Sequence, residues 1–153
     1  MQFDPFQSPI GIALDVVFLY VTVSFIVSCF GWRQLASRYA TASRPVGITF
    51  RSVSGRIALL GGYGRCLNVV SSPAGVYVET QLPFRLFHRP LLFPWRCVSH
   101  IDPTGGVLWP VTRLTIATGI FDFSLRLPGR AAAELQRHAP HAPMSAPQIL
   151  TDE

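Results

Sequence analysis

The chain has 153 residues, a formal net charge of +5 and 13 basic residues, all of them arginine. That length holds one membrane anchor and one domain of ordinary size. The arginines are spread singly, with no basic run and no recognition-helix pattern, so the composition argues against a nucleic-acid partner.

Residues Ile10 to Trp32 form an apolar stretch whose single charge is Asp15. Twenty-three helical residues cover about 34 Å, enough for a hydrocarbon core of about 30 Å. Counting from Val16 gives about 25 Å and leaves Asp15 near an interface, where a carboxylate reaches water. The stretch predicts a single transmembrane helix, with Trp32 at the headgroup level and Arg33 and Arg38 just beyond it. All the arginines follow the stretch. The positive-inside rule therefore predicts an inner-membrane protein with its N-terminus outside and its C-terminal domain in the cytoplasm. The rival is export: Ile26-Val27-Ser28-Cys29 loosely resembles a lipoprotein cleavage box, and Cys29 would then carry lipid. Met1 to Pro9 lacks the basic residues of a signal peptide, which favours the uncleaved anchor.

Trp32, Leu35 and Tyr39 recur at helical spacing and carry the helix to about residue 40. Thr41 to Val46 reads as a linker, since Pro45 bars further helix. From there the period changes to two. Ile48 to Arg51 predicts a first strand. Gly55 to Gly64, with glycines at 55, 61, 62 and 64, reads as a loop around a short strand at Ile57 to Leu60. Cys66 to Ser71 and Val76 to Gln81 predict a hairpin about the turn Ser72-Pro73-Ala74-Gly75. Val76 and Val78 would share one face, and Tyr77 and Glu79 the other. Pro83 to Trp95 is apolar but carries three prolines, which predicts a rim or an edge. Trp95 to Ile101 reads as a strand with Trp95, Cys97, Ser99 and Ile101 on one face and Arg96, Val98, His100 and Asp102 on the other. Asp102 to Gly106 reads as a loop. Arg113 to Thr118 and Ile120 to Leu127 form the clearest hairpin, with Gly119 near its turn. Arg130 to His138 is helix-prone. Residues 139–153, with Pro140, Pro143 and Pro147, read as a disordered tail.

The segments Leu67-Asn68-Val69, Gly75-Val76-Tyr77-Val78, Leu92-Phe93-Pro94-Trp95 and Phe121-Asp122-Phe123 together resemble bacterial membrane-anchored domains of the pleckstrin-homology/GRAM-like superfold. The resemblance covers Val46 to His138. It implies a mainly β fold with flanking helices, in which a single transmembrane helix precedes a small antiparallel half-open β-barrel and a short C-terminal helix. It also implies a docking module, because the superfold serves lipid, peptide and protein binding alike. No phosphoinositide-type motif carries over, since the region between the first two strands holds Arg51, Arg56 and Arg65 alone.

Catalytic chemistry finds little support. Cys97, His100 and Asp102 are the residue types of a thiol nucleophile, base and orienter. On a strand, however, Cys97 points away from the other two, so a thiol enzyme is the least favoured alternative. Cys66, His88, Cys97 and His100 lack metal-ligand spacing, and no metal or cofactor is expected. Cys66 and Cys97 would stay reduced in a cytosol-facing domain. The glycine-rich segment has no phosphate-loop signature. The least ordinary segment holds Phe84, Arg85, Phe87, Arg89, Leu91, Leu92, Phe93 and Trp95. It reads either as core and barrel rim, or as a surface that dips into the bilayer or docks a partner, with its arginines on phosphates. The resulting expectation is a non-enzymatic, single-pass membrane protein whose partners are the lipid bilayer and a protein of unknown identity.

Overall fold

Ser8 opens the first helix. Its Oγ accepts the Gly11 N–H at 3.0 Å, and Pro9 follows at the first helical position, where its missing N–H costs nothing. In the computed structural model, which describes residues 8–57, 61–82, 84–104 and 110–142, helix α1 spans Pro9–Val27. It is apolar on all sides, and Ile10, Phe18 and Leu19 stand exposed. By length and composition the helix could cross a membrane, and a signal sequence would fit the same description. A π-helical turn, Ser28–Trp32, then leads into α2, Arg33–Tyr39. Gly31 adopts φ +103° in that turn, and a Cβ there would meet Ile57 Cγ2 at 2.7 Å. Only glycine lets the helix bend this closely over the sheet.

The bend changes the role of Trp32. Expected at the headgroup level, it is instead fully buried among Tyr63, His88 and Phe123, and its Nε1 donates to Arg89 O at 2.9 Å. An indole with a satisfied N–H gains more from a packed core than from an interface. Leu35 is buried beside it, so the domain core begins within the helix and not at Val46. The part of α1 long and apolar enough to cross a membrane, by length and composition, is Pro9–Ile26. Its length is about 27 Å, and Asp15 lies about 9 Å inside it instead of at its edge. Arg33 and Arg38 remain exposed just beyond.

The remainder is one seven-stranded antiparallel sheet, curved into a half-barrel and followed by a short helix. The strands are β1 (Ile48–Ile57), β2 (Gly61–Ser72), β3 (Gly75–Thr80), β4 (Leu91–Phe93), β5 (Val98–Thr104), β6 (Val111–Ala117) and β7 (Asp122–Pro128). Their spatial order is β4-β3-β2-β1-β7-β6-β5. β1 joins the two halves: Ile48 to Phe50 pair with β2, while Ser54 to Ile57 pair also with β7. Register shifts around Val53, next to Ser52 at φ 55°, bend the strand and close the curve.

The segment read as a glycine-rich loop is therefore two strand arms. A Cβ on Gly55 would lie 2.6 Å from Leu67 Cδ1, so the glycine lets β1 cross tightly over the core. Tyr63, expected in a flexible connection, is buried. The proposed short strand at Ile57 to Leu60 falls largely on residues 58–60, outside the described residues. All six residues of β3 are buried, so Tyr77 and Glu79 do not face water. They form a polar cluster in which Tyr77 Oη donates to Glu79 Oε2 at 3.0 Å and Arg44 pairs with Glu79 Oε1 at 3.1 Å.

Trp95–Cys97 forms a 3₁₀ turn, not a strand. Trp95 Nε1 is fixed on Ser72 O at 2.8 Å, and β5 begins only at Val98. An irregularity between Val98 and His100 then sets Val98 and Ile101 inward and His100 outward, which overturns the simple alternation. β5 runs on to Thr104, into the segment read as a loop. The β6–β7 hairpin turns at Gly119 (φ +76°), with Leu114, Ile116, Phe123, Leu125 and Leu127 inside, as their alternation requires. Helix α3, Ala131–His138, packs on β5 and β2. The tail is ordered at its start. Ala139 and Ala142 are buried, and His141 Nε2 donates to Trp95 O at 3.1 Å. Residues 143–153 lie outside the described residues.

Candidate functional site

The apolar, proline-punctuated segment divides into two parts. Leu91 and Phe93 belong to β4, an edge strand, and are fully buried, so neither can touch a membrane or partner. Leu92 and Trp95 are half-buried, and Trp95 stacks on His138 at 5.3 Å. The short β4 edge satisfies the proline pattern while its alternate residues fill the core. Phe84, Arg85, Leu86, Phe87 and Arg89, by contrast, are exposed.

These exposed residues form a loop that lies against the C-terminal half of α1. The rings of Tyr20 and Phe84 are 5.9 Å apart, and Phe25 meets Phe87 edge-on at 5.4 Å. Ser28 Oγ donates to Phe87 O at 2.8 Å. In the sequence Tyr20, Phe25 and Ser28 read only as part of the apolar stretch and, for Ser28, of the lipoprotein-like box; nothing in their spacing points to the loop.

The loop's carbonyls find partners within the protein. Phe84 O accepts from Thr80 Oγ1 at 3.2 Å, Arg85 O from His88 N at 3.3 Å, and Leu86 O from His88 Nδ1 at 2.9 Å. With Phe87 O on Ser28 and Arg89 O on Trp32, the turn is bonded almost continuously. His88 is the buried pivot. Its Nδ1–H is committed to a carbonyl, which leaves Nε2 to accept from Tyr63 Oη at 3.3 Å. Burial holds its imidazole below the ordinary histidine value and pushes the Tyr63 phenol up.

Between loop and helix runs a cleft of about 680 Å³, lined by Phe25, Arg33, Arg85, Phe87, Arg89 and neighbouring residues of α2. No acidic side chain lines it among the described residues. None of its arginines makes an ion pair among the described residues. A second, open depression of about 550 Å³ lies on the sheet, where Arg56, Arg113 and Arg126 gather from three adjacent strands. There Arg113 stands opposite Arg126 on one side and opposite Asp102 on the other.

Cys97 lies 3.8 Å from Tyr39 Oη, while His100 points to solvent. No thiol–imidazole contact joins them among the described residues, and no group of three or more metal-ligating side chains converges there. No known protein-family model matches this chain, and no curated protein matches it in sequence.

Proposed function

We propose that this chain is a non-enzymatic, single-pass inner-membrane protein. It presents a pleckstrin-homology-like β-domain to the cytoplasm, where the domain docks a protein or the membrane surface. One observation carries the reading: α1 exposes apolar side chains on all sides, and the same helix continues through Gly31 into the domain core at Trp32 and Leu35. The domain is thus held to its anchor by its own core, not by a free linker. Seven antiparallel strands followed by a helix support the pleckstrin-homology-like assignment. The arginines beyond α1 support cytoplasmic placement. Carbonate washing of membranes should leave the full chain in the pellet. A C-terminal fluorescent-protein fusion should be bright and a C-terminal alkaline phosphatase fusion inactive. The opposite pair of reporter results defeats the cytoplasmic placement.

A second reading is an exported lipoprotein cut before Cys29. One observation favours it: among the described residues the hydrophobic core draws on the helix from Trp32 onward, so such a cut would leave those core residues in place. The mass of the mature N-terminus separates the two.

A further inference from the structure

We propose that the Phe84–Arg89 loop is a second membrane-embedded element, and that the arginine cleft between it and α1 takes the phosphate of an anionic glycerophospholipid. The inference rests on the reading of α1 as the span and names the lipid that the same protein engages.

Depth is the first argument. Phe84 touches Tyr20 and Phe87 touches Phe25, and both partners lie within the apolar window Pro9–Ile26. On an ideal rise, Tyr20 is about 9 Å and Phe25 about 2 Å from the domain-side end of that window. A loop bound at those levels lies beside lipid whenever α1 crosses the bilayer.

The second argument is the loop's backbone. Irregular chain is tolerated in hydrocarbon only where its polar groups are paired inside the protein. The carbonyls of residues 84 to 87 are all paired, by Thr80, His88 and Ser28. Surface loops normally leave such groups to water. Here the carbonyls are paired within the protein while apolar side chains turn outward: Phe84, Leu86 and Phe87 are 43%, 48% and 46% exposed.

Charge supplies the third argument. Arg33, Arg85 and Arg89 share one cleft with the rings of Phe25 and Phe87, and none of the three makes an ion pair among the described residues. Phe25 lies within the apolar stretch and Arg33 beyond its end, the order of acyl chain and phosphate at a leaflet surface. Arginine stems reach from the apolar level to the headgroups. A guanidinium fork also matches phosphate geometry. The cytoplasmic leaflet supplies the anionic partner.

The test uses the full chain in nanodiscs of phosphatidylcholine alone or with phosphatidylglycerol. A nitroxide at Leu86→Cys, in a chain whose three native cysteines are replaced by serine, should be reached by oxygen and shielded from a water-soluble nickel relaxant. Native mass spectrometry should show phosphatidylglycerol retained over phosphatidylcholine. The Arg33→Gln/Arg85→Gln/Arg89→Gln variant should lose about tenfold of that preference, with carbonate resistance unchanged. A water-exposed nitroxide overturns the proposal, as does equal retention of the two lipids. Spin–spin broadening at Leu86 overturns it in favour of a second copy on this face. If carbonate releases the wild-type chain, the spanning reading fails and takes this proposal with it; if the chain stays in the membrane, α1 stands whatever the loop does. The nitroxide measurement needs no arginine variant, so misfolding of the triple variant leaves the proposal open to refutation.

Discussion

Trp32 Nε1 donates to Arg89 O at 2.9 Å, across 57 positions of sequence. This bond ties the end of the apolar helix to the loop that flanks it, and the indole it orients touches three aromatic or imidazole rings. The helix end and the β-domain are therefore one packed unit. Trp32→Ala is expected to cost about 3–5 kcal/mol by opening the core. Trp32→Phe keeps most of the volume but leaves the Arg89 carbonyl unpaired, at about 1–3 kcal/mol. Thermal unfolding of the detergent-solubilised chain should rank them wild type, Phe, Ala in falling stability.

Gly31 allows the bend that brings Trp32 inward. Its φ of +103° and the 2.7 Å approach of Ile57 leave no room for a side chain. Gly31→Ala is expected to destabilise by about 1–3 kcal/mol. Ile57→Ala in the same chain relieves the clash but not the backbone strain, so the double variant should recover none of the loss attributable to φ. A Gly31→Ala protein as stable as wild type contradicts this account.

His88 makes loop stability depend on pH. In the fold, burial keeps its imidazole neutral below the ordinary value, whereas the unfolded chain takes up a proton near pH 6.5. The unfolded state thus binds the proton first as the pH drops. The stabilising contribution is complete above about pH 6.5 and declines below it, by at most about 1.4 kcal/mol per pH unit, until the folded-state value is reached. Protonation also removes the acceptor for Tyr63 Oη. Unfolding measured from pH 8 to pH 5 should show this slope in the wild type and a shallower one in His88→Gln.

Asp15 is the lone charge in the apolar stretch, and it stands exposed on α1. At about 9 Å from the window's start it is too deep to be free of cost. Asp15→Leu is expected to improve insertion by about 1–3 kcal/mol. An insertion assay with glycosylation sites on either side of the segment measures the shift. No change would mean that the carboxylate reaches water or a partner.

Much of the β-domain is legible from alternation. The β6–β7 hairpin and the Ser72–Gly75 turn declare themselves because each is local: a two-residue period on one side, proline and glycine at the bend. The glycine-rich arms of β1 and β2 are not legible. Their glycines look like breakers, yet Gly55 faces Leu67 and Phe123, and only the folded sheet supplies that close approach. Trp95 misleads in another way. It fits a strand alternation, but its indole bonds to Ser72 O, more than twenty positions away, and that bond belongs to a turn.

The segment from Phe84 to Trp95 shows the same division. Its mixture of aromatic side chains and arginines is plain in the sequence, but periodicity cannot separate Leu91 and Phe93, which fill the core, from Phe84 and Phe87, which lie outside it. The sequence by itself determined an apolar helix, the placement of every arginine after it, and a mainly β domain, because hydropathy, charge and alternation are properties of neighbouring residues. The tertiary structure alone decided where the apolar helix becomes core, and that the Phe84–Arg89 loop lies against Tyr20, Phe25 and Ser28. Those contacts join residues about sixty positions apart, and their partners are chosen by packing and by the need to pair each buried polar group.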